Sequence, residues 1–458
     1  MPVKILNIFL GTQAGRGWPS PYYKVDERAE EWIKDLENLK PNLGFDLEFV
    51  GNHVVSSMSQ VDALEKKVGD VDAIFVYVLT SESTRFTYFA SRRIADFGYD
   101  FIHRYGGYEI PTVFVTDLFG GDISVLPLVD YLRESGRRCL VVSSSSLDDV
   151  ARVLRHIYVI RMLGKSKVLL ITLRETNPAK YLSPRYLERI REKLGVAVKY
   201  VEYEEVKKLY DEVDSDDAEH IANEITKNAK EIREPSREDV VKAARMYQAL
   251  KKLISKEEAN AIAIDCLGWL EYDRVPMPVT PCLALSLLNS EGTVATCEAD
   301  LHSALTMLIF RYLADRPSFV SDPVVDTHTN SVIHCHCTAP MRMNKVGGKT
   351  EPYILRTHAD SGSGVGLQVF MGEGQEVTVA KFVEGLDKMV AAAGRIMENV
   401  DIDRGCRTKV RVTVADSNKY LYKYSAGLHR VLVYGSYLDD LRELGKLLGF
   451  DVTLEGDK

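Results

Sequence analysis

At 458 residues the chain is roughly three times a typical domain of about 150, which excludes a single small core. Its 58 Lys and Arg against 66 Asp and Glu leave a net charge of −8, which argues against a broad phosphate-binding surface and against nucleic acid as a partner. With 45% hydrophobic and 27% charged residues the composition is globular, and no run approaches the ~18 apolar residues of a membrane span.

The start, MPVKILNIFLGTQAGRGW, runs into a strand-like segment without a signal-peptide pattern, so a cytoplasmic location is expected, with the seven cysteines reduced. The apolar runs KILNIFLG (4–11), FDLEFVG (45–51), VDAIFVYVLT (71–80), TVFVTD (112–117) and RRCLVVSS (137–144) are short and rich in β-branched and aromatic residues, as buried parallel strands are. Helix-period segments such as VDALEKKVG and ISVLPLVDYLRESG lie between them, the second closing on Gly136. This alternation predicts a doubly wound sheet. A long helix, LDDVARVLRHIYVIRMLG, then leads to the strand KVLLIT (167–172) and places a boundary near residue 164.

Beyond it, Ser183 and Pro184 form an N-cap and first helical position before LERIREKLG, and VAVKYVEY is strand-like. Ser236 and Asp239 have capping-box spacing ahead of REDVVKAARMYQALKKLI, and ANAIAIDCL (259–267) is the next strand. From about residue 350, alternation and Gly-rich turns take over, and the last segment reads strand, helix, strand. The predicted fold is α/β: two Rossmann-like doubly wound domains, 1–164 and 165–350, followed by a smaller, mainly antiparallel β-rich domain, 351–458.

Six of the ten histidines (His302, His328, His334, His336, His358 and His429) and six of the seven cysteines fall late in the chain, so chemistry is sought there. DSGSGVG (360–366) lacks the Lys-Ser/Thr of a phosphate loop and reads as a turn. GTQAGRGW (11–18) follows the first strand, where a ligand-binding loop belongs, and Gln13 and Arg16 are its candidate substrate contacts. HCHC (334–337) has no second ligand pair for a structural zinc, only Cys406. In a strand, His334 and His336 share one face, either as satisfied core residues or with one of them a ligand.

TCEADLHSALTMLIFRYLADRPSFVSD (296–322) is more informative. Leu301, Leu305, Leu308, Ile309 and Tyr312 recur at helical spacing, so a helix starts near Asp300 and ends before Pro317. Glu298 lies just before this helix, and Asp322 is expected in a turn after it, ahead of Pro323. A helix out and an extended return can bring both carboxylates to one end of a sheet, as oxygen ligands for Mn²⁺ or Mg²⁺ and an acid/base pair. The alternative is that Glu298 caps the helix and Asp322 makes an Asx-turn.

The segment CEADLHSALTMLIFRYLADRPSFVSD resembles the metal-site segment of the L-fucose isomerase and L-arabinose isomerase superfamily. HCTAP (336–340) is similar to the histidine-bearing strand end of the arabinose isomerases and shorter fucose-isomerase-like proteins. SAGLHRVLVYG (425–435) resembles the C-terminal Gly-rich segment whose histidine completes the site, and GTQ (11–13) resembles an N-terminal loop that reaches a neighbouring subunit. The resemblance covers the second half of the chain well and the first half weakly. It implies Glu298 and Asp322 as metal ligands and catalytic pair, His429 as a third ligand, and His336 as a fourth, as in the arabinose isomerases. It also implies Mn²⁺ (or Mg²⁺ or Co²⁺) as cofactor and a homo-oligomer, commonly a hexamer.

The expected function is therefore a divalent-metal-dependent aldose–ketose isomerase acting on L-fucose, D-arabinose or a similar monosaccharide through an enediol, with Glu298 as base and Asp322 its partner. An L-arabinose isomerase-like activity and a non-catalytic sugar-binding or sensor protein are the alternatives. A metallohydrolase is disfavoured, because no H-E-x-x-H motif is present.

Overall fold

The computed structural model describes residues 2–11, 19–56, 71–80, 110–121, 138–172, 183–271, 277–422 and 426–456, with Gln60, Leu64 and Val125 besides. The chain divides into two compact units, Met1–Arg161 with Glu443–Gly449, and Met162–Arg442 with Phe450–Lys458. The expected segments VDALEKKVG and ISVLPLVDYLRESG lie almost wholly outside the described residues, and Gln13 and Arg16 entirely so. No helix among the described residues is long and apolar enough to cross a membrane.

In the first unit, β1 (Val3–Leu10), β2 (Leu47–Val55), β3 (Ala73–Val78), β4 (Thr112–Thr116) and β5 (Cys139–Val142) form a parallel sheet of order β2-β1-β3-β4-β5. Strands β1, β3 and β4 are buried along almost their whole length, which is why they read as unbroken apolar runs. Helix α1 (Val25–Leu39) turns Val25, Ala29, Trp32 and Leu36 inward, a single helical stripe against the sheet. Helix α2 (Leu147–Leu163) adds Val150, Val153, Leu154 and Ile157 to the same core. Asp117, just after β4, accepts hydrogen bonds from Tyr23 Oη (2.7 Å), Arg28 Nη2 (2.7 Å) and Trp32 Nε1 (3.2 Å), which ties the α1 segment to the strand ends. Nearby, a Cβ on Gly121 would stand 1.9 Å from the Val78 carbonyl oxygen, so only glycine fits there.

The second unit begins with a parallel sheet of order β10-β9-β6-β7, built from β6 (Lys167–Ile171), β7 (Ala197–Val201), β9 (Ala261–Ile264) and β10 (Val294–Thr296). Its helices are α3 (Pro184–Leu194), α4 (Tyr203–Asp211), α5 (Ser215–Asn228), α6 (Arg237–Lys256), α7 (Cys266–Glu271), α8 (Cys282–Ser290) and α9 (Leu301–Ala314). Local signals hold here. Ser183 caps α3 by accepting from the Tyr186 amide, with Pro184 in the first turn, and Ser236 and Asp239 close a reciprocal capping box on α6.

The rest of this unit is mainly antiparallel. It contains β11 (Phe319–Asp326), β12 (Ser331–His336), β15 (Glu376–Phe382), β16 (Lys388–Asn399), β17 (Thr408–Thr413), β18 (Arg430–Tyr434) and β19 (Asp451–Leu454). Their order is β15-β18-β11-β12-β17-β16-β19, and β15 also pairs with β16, so six strands close into a barrel-like ring. A small sheet joins β8 (Glu231–Ile232), β13 (Tyr353–Arg356) and β14 (Gly366–Val369). Helices α10 (Ser417–Tyr422) and α11 (Leu438–Leu448) complete the elements, and DSGSGVG forms the turn before β14. The expected α/β chain with a β-rich C-terminal part is what the structure contains.

Arg430, at the start of β18, is fully buried and bonds Glu455 in bidentate fashion (Nε to Oε2 2.7 Å, Nη2 to Oε1 2.6 Å). It also donates to the carbonyls of Gly427 and His429. Removing one partner strands a buried charge, so Glu455→Gln is expected to cost about 3–5 kcal/mol in urea denaturation. An unchanged midpoint would show that the pair adds no net stability.

Candidate functional site

The site is built where β10 ends. The chain passes from Thr296 through Cys297, Glu298, Ala299 and Asp300 into α9, at the carboxyl edge of the parallel sheet, where open α/β sheets bind ligands. Glu298 (φ 57°) and Ala299 (φ 51°) are consecutive non-glycine residues in the left-handed region, each at a cost of about 1–2 kcal/mol. The bonds Ala299 N to Ile264 O (3.0 Å) and Asp300 N to Cys297 O (3.2 Å) hold this turn. It frees the Glu298 side chain from the helix. The capping role is filled by Asp300, whose carboxylate accepts from the Ser303 amide (3.0 Å), so the alternative in which Glu298 caps α9 does not hold.

Asp322 lies inside β11, not in a turn. The residue before a proline is driven to extended backbone, which a strand satisfies as well as a turn does. The Asx contact is made four residues later, where Asp326 accepts from the His328 amide (3.1 Å). At Asp322 the strand changes its pairing: Phe319, Val320 and Ser321 pair with β18, while Asp322 to Asp326 pair with β12. His429 directly precedes β18 and His336 ends β12, so both histidines arrive at this change-over.

The four expected residues Glu298, Asp322, His336 and His429 come together. His429 Nε2 stands 3.3 Å from Glu298 Oε2 and 3.4 Å from Asp322 Oδ1, and His336 Nε2 stands 3.6 Å from Glu298 Oε1. Cys297 Sγ is 3.3 Å from His336 Nε2 and Cys406 Sγ is 4.0 Å from Asp322 Oδ2. Two residues beyond the sequence reading complete the cluster. Asp300 Oδ2 accepts from His429 Nδ1 (2.8 Å) and from Lys381 Nζ (2.6 Å). The D-x-x-S cap spacing of Asp300 and Ser303 was the one available signal for the first, and none marked Lys381, 81 positions away in β15.

Charge explains the titration of these groups. Burial works against ionisation of Glu298, but His336 and His429 outweigh it and hold the carboxyl well below its usual range. Burial likewise opposes charge on Asp300 and is outweighed by His429 and Lys381. Asp322 is pushed up, by burial first and then by Glu298 against the pull of the two histidines. His429 loses proton affinity to burial and regains more from Asp300 and Glu298, ending at about 9. A nest of three carboxylates thus draws in positive charge.

The donor set suits a divalent cation. Asp322 Oδ1 and His429 Nε2 are both buried without a hydrogen-bond partner and stand 3.4 Å apart. Ligands each about 2.1 Å from one ion lie roughly 3.0–3.5 Å apart, and His429 Nε2 stands at that separation from Glu298 Oε2 (3.3 Å) and from Asp322 Oδ1 (3.4 Å). Asp322, His336 and His429 form one group with ligand atoms within 4.8 Å of one another, and Cys297, Glu298 and His336 form another. The two histidines differ in tautomer. Asp300 takes the Nδ1 proton of His429 as a hydrogen bond and leaves Nε2 to face the carboxylates. His336 Nδ1 instead accepts from the Cys337 amide (3.0 Å), which puts the proton of the neutral ring on Nε2.

His334, the other histidine of HCHC, turns away from this cluster. Its Nδ1 pairs with Ser321 Oγ (2.9 Å), and burial, followed by the nearby Arg430, lowers it to about 3. It is a satisfied core residue.

The chain is similar to sulfoquinovose isomerases. That of Priestia aryabhattai is 28% identical over 312 residues, which is 66% of this chain and 68% of that protein. That of Alkalicoccus urumqiensis is 25% identical over 240 residues, 50% of this chain and 52% of its own. No protein-family model matches the chain.

The titration of His334 gives a stability test. The unfolded chain binds a proton at the ordinary value of 6.5, whereas the folded chain does so only near 3. Stability from keeping this ring neutral is therefore complete above pH 6.5 and falls by about 1.4 kcal/mol per pH unit as pH drops toward 3. Replacing His334 by Asn should flatten urea-derived stability against pH by about one proton in that window; parallel curves would contradict the assignment.

Proposed function

We propose that the second unit carries the active centre of a divalent-metal-dependent aldose–ketose isomerase acting on a free monosaccharide. The observation that carries this reading is the pair Asp322 Oδ1 and His429 Nε2, both buried and unpartnered 3.4 Å apart, beside the strained Glu298 turn. The similarity to sulfoquinovose isomerases supports the reaction class, and the ordered carboxylate and histidine motifs support it independently.

Moving a carbonyl between C1 and C2 of a sugar takes a proton from one carbon, returns it to the other, and exchanges protons between O1 and O2. Glu298 is assigned the carbon proton, removed from C2 of the aldose and given back at C1. Asp322, across the cluster, is assigned the transfer between the two oxygens. Mn²⁺, Mg²⁺ or Co²⁺ held by Glu298, Asp322 and His429 would supply electrostatic stabilisation of the charge developing on O1 and O2. Asp300 and Lys381 position the His429 ring. His336 enters as a hydrogen-bond donor: with Nδ1 taken by the Cys337 amide, its Nε2–H lies between Cys297 Sγ (3.3 Å) and Glu298 Oε1 (3.6 Å) and offers no lone pair. This departs from the ligand role that the motif resemblance implies for it.

For the substrate, the named relatives put sulfoquinovose first, and the motif resemblance puts L-fucose and D-arabinose next. Incubating the Mn²⁺-supplied protein with these three aldoses and L-arabinose, and measuring ketose, ranks them directly. Glu298→Gln should lower kcat by about 10²–10⁴-fold. Retention of full activity would remove Glu298 from the chemistry, and inactivity toward every sugar with binding of one would favour a sugar-binding protein. Deuterium from solvent should appear in the ketose formed; its absence would favour a hydride shift.

The two histidines should separate in a metal titration. His429→Gln is expected to weaken Mn²⁺ binding by at least about 10–100-fold, the range seen when only a partner supporting a ligand is lost. His336→Gln should leave binding within about threefold and reduce turnover. Equal loss of metal in both variants would restore His336 as a ligand.

A further inference from the structure

The second unit has another recess that shares no residue with the cluster around Glu298. A cavity of about 300 Å³ opens among α5, α6, α8 and the segment 341–353, and Asn228, Tyr247, Lys251, Glu291, Arg342 and Tyr353 line it. Its charged and polar groups are mostly satisfied within the fold. Glu291 accepts from Tyr247 Oη (2.6 Å) and Lys251 Nζ (2.9 Å), Tyr353 Oη donates to the Ile225 carbonyl (2.7 Å), and Asn228 Nδ2 donates to the Glu224 carbonyl (2.9 Å).

Arg342 is the exception. Its Nε is buried without a hydrogen-bond partner, and among the described residues no carboxylate pairs with it. The other acid on the lining, Glu224, has a side chain 67% exposed and lies 3.7 Å from His220. The backbone that carries Arg342 is anchored on both sides. Met341 and Met343 on either side are buried, the Met341 amide donates to Ser290 Oγ (2.9 Å), and the Met341 carbonyl accepts from the Glu351 amide (2.7 Å). A partly buried guanidinium on the wall of a polar cavity, with no ion pair among the described residues, is a cation that an acceptor entering the space would satisfy.

We propose that this cavity is a binding site for the oxyanion group of a small polar molecule, a phosphate monoester or a carboxylate, with Arg342 as its cationic anchor. The planar guanidinium fork matches either group in two parallel hydrogen bonds, which a lysine cannot reproduce. The cavity holds a molecule of small-metabolite size, and the Tyr247, Asn228 and Tyr353 side chains form the polar wall around it. The site does not depend on the isomerase reading, because none of Glu298, Asp322, His336 and His429 lines it.

Titration calorimetry of the full chain with inorganic phosphate and, separately, with acetate tests it, with chloride matching ionic strength in every cell. The expected result is saturable binding of at least one anion by the wild type, weakened about tenfold or more in Arg342→Gln, and the stronger of the two anions identifies the oxyanion. Phosphate binding equal in wild type and Arg342→Gln would overturn the proposal, as would no binding of either anion by the wild type. If Arg342→Gln does not fold, Arg342→Lys decides in the same way: it keeps the charge, loses the fork, and should bind several-fold more weakly.

Discussion

The candidate site rests on one buried carboxylate. Asp300 caps α9 through the Ser303 amide and hydroxyl, accepts the Lys381 ammonium from β15, and accepts the Nδ1 proton of His429 ahead of β18. A carboxylate removed from water is tolerable only when its lone pairs are occupied. Meeting that requirement fixes three elements far apart in sequence to a single point. The left-handed turn of Glu298 and Ala299 can persist because Asp300, next in the chain, is so firmly held. The orientation of His429, and through it the facing of Nε2 toward Glu298 and Asp322, follows from the same contact.

Much of the architecture was legible in the chain because it is encoded locally. Runs such as VKILNIFL and AIFVYV are apolar on both faces, which only a strand covered on both sides requires. The Ser183–Pro184 and Ser236–Asp239 starts need only their own few residues. The grouping of Glu298, Asp322, His336 and His429 came from ordered motifs and not from any one spacing. Asp322 was misplaced because extended backbone before a proline is shared by turns and strands. The local pattern cannot report that β18 and β12 exchange places as partners beside it. Lys381 was invisible for a similar reason: in EVTVAKF a lysine on a barrel strand looks like a solvated residue, and only the tertiary contact shows it buried against Asp300.

The late cysteines find a structural place as well. All seven are free. Cys297 lies against His336, Cys335 donates to the Asp322 carbonyl at 3.4 Å, and Cys406 stands near the Asp322 carboxylate. They pack as small apolar groups around a cluster whose working atoms are oxygens and nitrogens. Such surroundings keep the dielectric low beside the carboxylates, which strengthens each charge interaction there.

One feature of the first unit bears on how the molecule is made. The segment Glu443–Gly449 returns to that unit, and Leu447 is fully buried in the core formed by β1, β3, β4, α1 and α2. A ribosome delivers Val3 to Ile157 long before Leu447 emerges. Throughout most of synthesis the first unit therefore carries an unfilled notch in its apolar core, and it cannot reach full stability as an early, independent folding event. The two ends of the polypeptide are thereby made to mature together.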